Sequence, residues 1–447
     1  MGVDRGTRST AETPFLGSLF SKLDDSGVRY CVLRNYDTLP DSLGGSDLDI
    51  LVDEHHGDSL RLLWRAASRE HGGRCIGALG RPASKMCVCG RTAQWWGAEM
   101  DAFVGDLKFS VYPFMKGEFV LRRAVKRNGV MVAAERDAAV ITALKESLNN
   151  RECPREHLER AREAYYNDRR AYLCEFRECL GGHVSRLWDA LLMGGNGTRV
   201  DDVARATISH LRRTSGLVSW IKEKAQKLLR YRRVVSRPGY SVAVLGTDGS
   251  GKSTVIEGVS AVLGQALHNS VYCEHMRPHL LPSLARLFGK SVMPGPVTDP
   301  HAGKPSGPLG SLVRLSYYSL DYILGYWLVV FPAMVRRPSL FLFDRYFYDY
   351  YIDPCRTKVK LPKWLITLYG VLIPSPDLIL CLGADPEVIH RRKPELPIKE
   401  THRQIVELKR FQHRSRRAVW IDTSCSIEES VDKALEAITA KMAAKYE

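Results

Sequence analysis

Gly246, Gly251, Lys252 and Ser253 stand in the order GxxxxGK[ST] within VAVLGTDGSGKSTVI, residues 242–256. Glycines at these positions let successive backbone N–H groups face one concavity, and the start of a following helix adds positive potential there. A lysine at this spacing reaches the outer phosphates of a nucleoside triphosphate, and the neighbouring hydroxyl holds Mg2+. Gly249, Ser250 and Thr254 complete the candidate phosphate-binding set, so ATP and Mg2+ are the expected cofactors. A second group lies far upstream. In GGSDLDILVD, residues 44–53, Asp47 and Asp49 alternate with Leu48 and Ile50, so both carboxylates leave one face of a strand. Paired carboxylates of this kind can bridge two Mg2+ ions for attack on a nucleotide α-phosphate. Asp101, in AEMDAFV, is the expected third carboxylate from a neighbouring strand. The plainer alternative is a solvated, Asp-rich strand end.

These residues need elements to hold them. Residues 13–125 mix short β-type runs with turns and at least one helix, SLRLLWRAASRE, which predicts an α+β region. From about residue 135 to 233 the pattern is helical, broken by the glycine turns LGGH and MGGNGTR. SRPGY, residues 236–240, closes that section. Beyond it, strands read at 242–245, 271–274, 339–343, 377–382 and 418–421, alternating with helices. Such alternation predicts an α/β domain with a five-stranded parallel sheet covered on both faces. The expected organisation is therefore residues 1–130, a helical connector at 131–239, and residues 240–447 around the phosphate loop. A Pro/Gly-rich stretch at 292–310 reads as a substrate loop or lid.

GTDGSGKST resembles the phosphate loop of thymidylate kinases and their relatives. LFLFDRYFYD, residues 340–349, is similar to that family's DRY segment at the end of its third strand. LGADPEVIHRRKPELP, residues 382–397, is similar to its passage from a strand into a basic lid. The resemblance covers about residues 240–445, in the family's order. It implies that Asp248 contacts the acceptor sugar, that Asp344 lies near Mg2+ and the transferring phosphate, and that Arg345 grips phosphate. It also implies a lid in which Arg391, Arg392 and Lys393 neutralise the γ-phosphoryl group. Where the family carries Arg–Glu–Pro after the second strand, this chain has HMRPHLLP, which leaves Arg277 as the acceptor-side arginine. The long insertion at 278–310 is similar to a thymidylate kinase-like branch associated with polysaccharide gene clusters. The acceptor is accordingly a nucleoside monophosphate or a related small molecule, a sugar or glycan precursor included.

GGSDLDILVD resembles the signature of polymerase-β-like nucleotidyltransferases, a likeness extending over about residues 15–130. That family carries a Gly–Ser pair about ten residues before the first aspartate. LRNYD stands there in this chain, and Arg34 could replace the backbone cradle with a charged contact. The combined expectation is a kinase that could be bifunctional with a nucleotidyltransferase. The alternative from another class is an NTP-driven switch or assembly factor whose hydrolysis moves the helical section.

Composition agrees with a folded protein that handles anions. The chain of 447 residues carries 65 Lys and Arg against 50 Asp and Glu, a net charge of +15. Within residues 201–240, ten Lys and Arg against three Asp and Glu contribute +7 of it. There Leu217, Trp220, Ile221, Ala225, Leu228 and Leu229 share one helical face, so residues 212–233 could touch an anionic membrane or simply pack between domains. No DNA- or RNA-reading motif supports a nucleic-acid partner. Eleven cysteines form no disulfide or zinc pattern, the close pair being Cys87 and Cys89, and point to a reducing, cytoplasmic setting. The N-terminus lacks an apolar signal region, and Gly6 breaks the myristoylation spacing. Tyr322–Val335, the longest uncharged apolar stretch, reads as a buried helix. Tyr318, Tyr322 and Tyr326 recur at helical spacing as core or as an acceptor-stacking stripe, and His275, His279 and His301 read as loop histidines.

Overall fold

The computed structural model describes residues 11–80, 84–195, 197–214, 221, 224, 236–284 and 307–446. His301, most of the 292–310 loop, Gly6 and nearly all of the apolar face of 212–233 lie outside the described residues. The chain forms two compact units, Met1–Val235 and Ser236–Glu447.

The first unit is built on strands β1 (Tyr30–Val32), β2 (Leu48–Val52), β3 (Gly73–Leu79), β4 (Lys85–Arg91) and β5 (Trp95–Val104). Strands β6 (Leu107–Phe109) and β7 (Tyr112–Met115) pair as a separate hairpin, and β8 (Val125–Arg127) and β9 (Val130–Val132) return to the main sheet. The main sheet is mixed, in the order β3-β4-β5-β2-β1-β9-β8. Because side chains alternate across a strand, β2 feeds two cores. Leu48, Ile50 and Val52 pack with Phe15, Leu19 and Trp64 of α1 (Thr13–Asp25) and α2 (Gly57–Glu70). Leu51 faces the opposite core. That core takes in Val140 and Leu144 of α4 (Glu135–Asn150), Tyr165 of α5 (Arg155–Asn167), Phe176 and Trp188 of α6 (Arg169–Leu192), and Leu211 of α7 (Val200–Thr214), after the short α3 (Gly117–Leu121). The helices expected as a connector therefore cover a face of the N-terminal sheet. Tyr165 and Phe176 stack in that layer with ring centroids 5.9 Å apart. All eleven cysteines are free thiols, and Cys87 and Cys89 are buried in β4.

The second unit is a parallel sheet of β10 (Tyr240–Gly246), β11 (Val271–His275), β12 (Leu340–Asp344), β13 (Leu378–Gly383) and β14 (Ala418–Asp422). The order is β11-β12-β10-β13-β14. The five expected strands are all present, and β10, β12 and β13 are almost wholly buried, as a sheet covered on both faces requires. Helices α8 (Lys252–Ala266) and, near the C-terminus, the segment Ile427–Ala443 pack against one another on one face. Ala243, Phe341, Phe343 and Ile379 point to the other, where they meet α9 (Pro308–Gly325) and α10 (Phe331–Arg336). The chain then runs through α11 (Asp349–Ile352), α12 (Pro354–Thr357), α13 (Lys363–Leu372), α14 (Pro386–Arg392), α15 (Ile398–Arg414) and α16 (Ile427–Ala443).

Pro308–Arg336 is one continuous helical stretch of 29 residues, the one helix among the described residues long and apolar enough to cross a membrane. Tyr322, Tyr326, Val330 and Met334 are core. The expectation of a buried helix nevertheless fails on the other side, where Trp327, Leu328 and Val329 are exposed. These three successive apolar side chains lie within a π-helical turn, Tyr326–Val330. The tyrosine stripe divides similarly: Tyr322 and Tyr326 are packed, and Tyr318 lies under the Arg277 guanidinium at 4.9 Å.

Candidate functional site

The phosphate loop lies at the C-terminal edge of the parallel sheet, where β10 has neighbours on both sides and the chain crosses to opposite faces. Crevices at that position are where open α/β sheets bind ligands. Gly246 ends β10 in a place no side chain could occupy, because a Cβ would come within 2.4 Å of Ser250 Oγ and 2.6 Å of the Leu382 carbonyl. Gly249 and Gly251 both have φ of +82°, so the loop folds back in a conformation glycine adopts without strain. Lys252 opens α8 and is buried, with 7% of its surface exposed. Its Nζ donates to the carbonyls of Gly246 at 3.0 Å and Thr247 at 2.8 Å. Burial, reinforced by the Arg345 cation, pulls this ammonium down to about 7. Ser253 and Thr254 are exposed on the first turn of α8, whereas Ser250 Oγ and Thr247 Oγ1 are buried with no hydrogen-bond partner among the described residues.

A network of charges closes around this loop. Asp344 ends β12, opposite Val244 of β10, and the next residue, Arg345, has φ of +71° and donates its backbone N–H to the Val244 carbonyl. That left-handed turn carries the guanidinium back over the loop. Arg345, only 4% exposed, reaches Asp248 at 2.5 Å and Asp349 at 2.8 Å. Arg356 of α12 pairs with the other oxygen of Asp248. Burial alone would raise the Asp248 carboxyl, but Arg345, Lys252 and Arg356 hold it below the ordinary carboxylate range. Asp344 is likewise held down against burial, chiefly by His275, which stands 3.2 Å away, and by Lys252. Its second oxygen, Oδ1, is buried and has no partner among the described residues. An orphaned carboxylate oxygen beside this loop is of a kind that fits a divalent cation, for which the Ser253 hydroxyl could be a further ligand.

The remaining expected residues fall in different places. Lys393 packs against the loop: a Cβ on Gly249 would meet the Lys393 Cβ at 3.0 Å. Arg391 is exposed, and Arg392 is turned away to donate to the Thr423 carbonyl at 2.8 Å. Arg277 is paired with the buried Asp321. His279 faces Glu274 at 3.5 Å. Sequence reasoning missed Arg356, Asp349 and Asp353. The one available signal was Asp353 before Pro354, an N-cap and N1 pair that starts the short helix carrying Arg356.

In the N-terminal unit, Asp47, Asp49 and Asp101 come together with carboxylate oxygens within 4.8 Å of one another. The parallel pairing of β2 with β5 sets Asp49 directly beside Asp101, and Lys85 on β4 is the opposite neighbour of Asp101. Arg34 pairs with Asp49 and lies 3.7 Å from Asp47, and Lys145 of α4 approaches Asp49 at 3.4 Å. Burial, with Asp49 and Asp47 adding to it against Lys85, pushes the Asp101 carboxyl up to about 6. Three carboxylates that crowd one another in this way suit a divalent cation.

Two solved thymidylate kinase structures are similar to part of the chain. That of Candida albicans shares 18% identity, covers 46% of this chain and 94% of its own, and gives a TM-score of 0.34. That of Ehrlichia chaffeensis shares 17% identity, covers 44% and 97%, and gives a TM-score of 0.28. No family model and no curated protein matches the chain.

Proposed function

We propose that residues 236–447 form an ATP- and Mg2+-dependent phosphotransferase of the thymidylate kinase-like type. The observation that carries this reading is the placement of Lys252, Asp344 and Arg345 around one glycine loop at the edge of a parallel sheet. Backbone N–H groups of residues 249–253 and the α8 N-terminus would cradle the phosphates of ATP. Mg2+, held by Ser253 and Asp344, would neutralise charge on the transferring group. Binding of triphosphate would give Lys252 anionic partners in place of two carbonyls, which favours its charged form and draws it onto the β,γ-phosphates. Arg345 is fixed by two carboxylates, so it meets the developing charge without reorganising. Lys393, whose Cβ lies beside Gly249 and whose ammonium pairs with Glu395 at 3.1 Å, would be the lid cation that turns to the γ-phosphoryl group.

The acceptor this geometry suits is a phosphate monoester such as a nucleoside monophosphate, or a phosphorylated sugar. Asp248 and Asp344 are both held as carboxylates by cations and make poor bases for an alcohol acceptor, whereas a phosphate oxygen needs no proton removed. The test is ADP formation from ATP and Mg2+ against nucleoside monophosphates, thymidylate first, and phosphorylated sugars. Strong stimulation by one acceptor supports the proposal. Turnover that no acceptor changes but a lipid or protein partner stimulates supports an NTP-driven switch instead.

A second reading applies to the N-terminal unit, because Asp47, Asp49 and Asp101 converge there. We propose that these carboxylates bind Mg2+ and that Arg34 contacts an anionic substrate, as in nucleotidyl transfer. Asp47→Asn with Asp49→Asn, assayed for pyrophosphate release from nucleoside triphosphates, tests it: unchanged release removes this reading.

A further inference from the structure

The sequence offers Arg277 as the arginine for the acceptor's phosphate, and the structure gives that guanidinium another task. Arg277 Nη1 donates to the Leu281 carbonyl at 2.9 Å and pairs with Asp321, whose carboxylate is fully buried. Asp321 in turn accepts the Leu281 N–H at 2.6 Å, and the Tyr318 ring lies beneath the guanidinium at 4.9 Å. Turn 277–281 is thereby fastened to α9. Drawing Arg277 toward a ligand would leave a buried carboxylate without its counter-charge, which is strongly unfavourable.

Arg356 is held differently. Its Nη2 pairs with Asp248, its Nε donates to Asp353 at 3.3 Å, and its backbone N–H donates to the same carboxylate at 3.2 Å. Nη1 makes no hydrogen bond among the described residues, and the side chain is 19% exposed. Asp248 has one oxygen on Arg345 and the other on Arg356, so both are already engaged. A carboxylate in that position works as a strut between two guanidiniums and presents an unfilled edge of Arg356 beside the phosphate loop.

We propose that Arg356, and not Arg277, binds the phosphate that the acceptor already carries, and that Asp248 positions Arg356 rather than touching an acceptor hydroxyl. This rests on the phosphotransferase reading and specifies its acceptor side. The acceptor is a phosphate monoester. In the transfer, a lone pair on the acceptor's phosphate oxygen forms the new bond to Pγ, and the bond from Pγ to the β,γ-bridging oxygen breaks. Its electron pair leaves with ADP. No proton has to leave the acceptor dianion, so the step balances without a base. Arg356 neutralises the approaching anion and sets its angle to Pγ.

The experiment compares full-length Arg356→Gln, Arg356→Lys and Arg277→Gln with the unaltered chain. ATP affinity is read by calorimetry, and initial rates are taken against a panel of nucleoside monophosphates and sugar phosphates at saturating ATP. Losing one charge-assisted contact predicts an acceptor KM raised about 10- to 100-fold in Arg356→Gln, with ATP affinity within about twofold and part of the loss recovered by lysine. Arg277→Gln lowers the melting temperature, as expected of a structural ion pair. An unchanged acceptor KM in Arg356→Gln overturns the proposal, as does a raised KM in Arg277→Gln at unchanged melting temperature. ATP binding without transfer to any phosphate monoester overturns the acceptor class. Failure of the unaltered chain to bind ATP instead overturns the phosphotransferase reading beneath it.

Discussion

Replacing Asp101 with asparagine should stabilise the protein, and by an amount that depends on pH. Asp101 lies in β5 beside Asp49 and close to Asp47, with its carboxyl moved from the ordinary 3.8 to about 6 by burial and by those neighbours. In the unfolded chain the group ionises near its ordinary value. As pH rises from about 4 to about 6, the folded chain keeps a proton that the unfolded chain has released, so this group's contribution to stability falls through that window and is constant above it. Two pH units at about 1.4 kcal/mol each amount to about 3 kcal/mol. Asp101→Asn removes the penalty, so the difference in unfolding free energy between variant and unaltered chain should be near zero at pH 4 and favour the variant by about 1–3 kcal/mol above neutrality. Taking the difference cancels the acid sensitivity of carboxylates remote from Asp101, and leaves that of the Asp47, Asp49 and Asp101 cluster. The assay is urea unfolding of both proteins across this range in a chelator, followed by a trial with millimolar Mg2+. A cation held by Asp47, Asp49 and Asp101 should stabilise the unaltered chain above neutrality, have little effect at pH 4, and do much less for Asp101→Asn. A variant less stable than the unaltered chain above neutrality, or a difference that does not change with pH, would refute the reasoning.

Other outcomes follow from single contacts. Gly249→Ala puts a Cβ into a backbone of φ +82° and within 3.0 Å of the Lys393 Cβ. It should cost about 1–2 kcal/mol of stability, and calorimetry should show ATP binding at least several-fold weaker; unaltered affinity would count against the loop as the phosphate cradle. Arg277→Met strands the buried Asp321 and should cost about 3–5 kcal/mol in chemical denaturation. A loss below about 1 kcal/mol would show that the pair is not what fastens the turn.

Local spacing makes much of this legible in the sequence. The phosphate loop is written in contiguous residues, and the five parallel strands of the second unit are short apolar runs between helical patterns. Strand alternation puts Asp47 and Asp49 on one face, and Asp101 is the expected third carboxylate, but its seat beside Asp49 depends on a sheet order that sets β5 next to β2. What stayed hidden depends on partners far apart in sequence. Arg277 finds Asp321 44 residues away, and Arg356 finds Asp248 108 residues away. Nothing in HMRPHLLP or DPCRT marks which arginine is fastened internally and which keeps an open edge. The helices of residues 135–214 looked like a connector because the pattern of a helix shows that it has an apolar face and does not show which sheet covers it. Trp327, 52% exposed, lies in a π-turn that hydropathy does not register.

The most direct test follows the γ-phosphate itself. With γ-labelled ATP, Mg2+ and a panel of phosphate monoesters, label is expected in an acceptor diphosphate, with that transfer lost in a folded Lys252→Ala variant. Label appearing only as inorganic phosphate, or transfer undiminished in Lys252→Ala, would contradict the phosphotransferase reading.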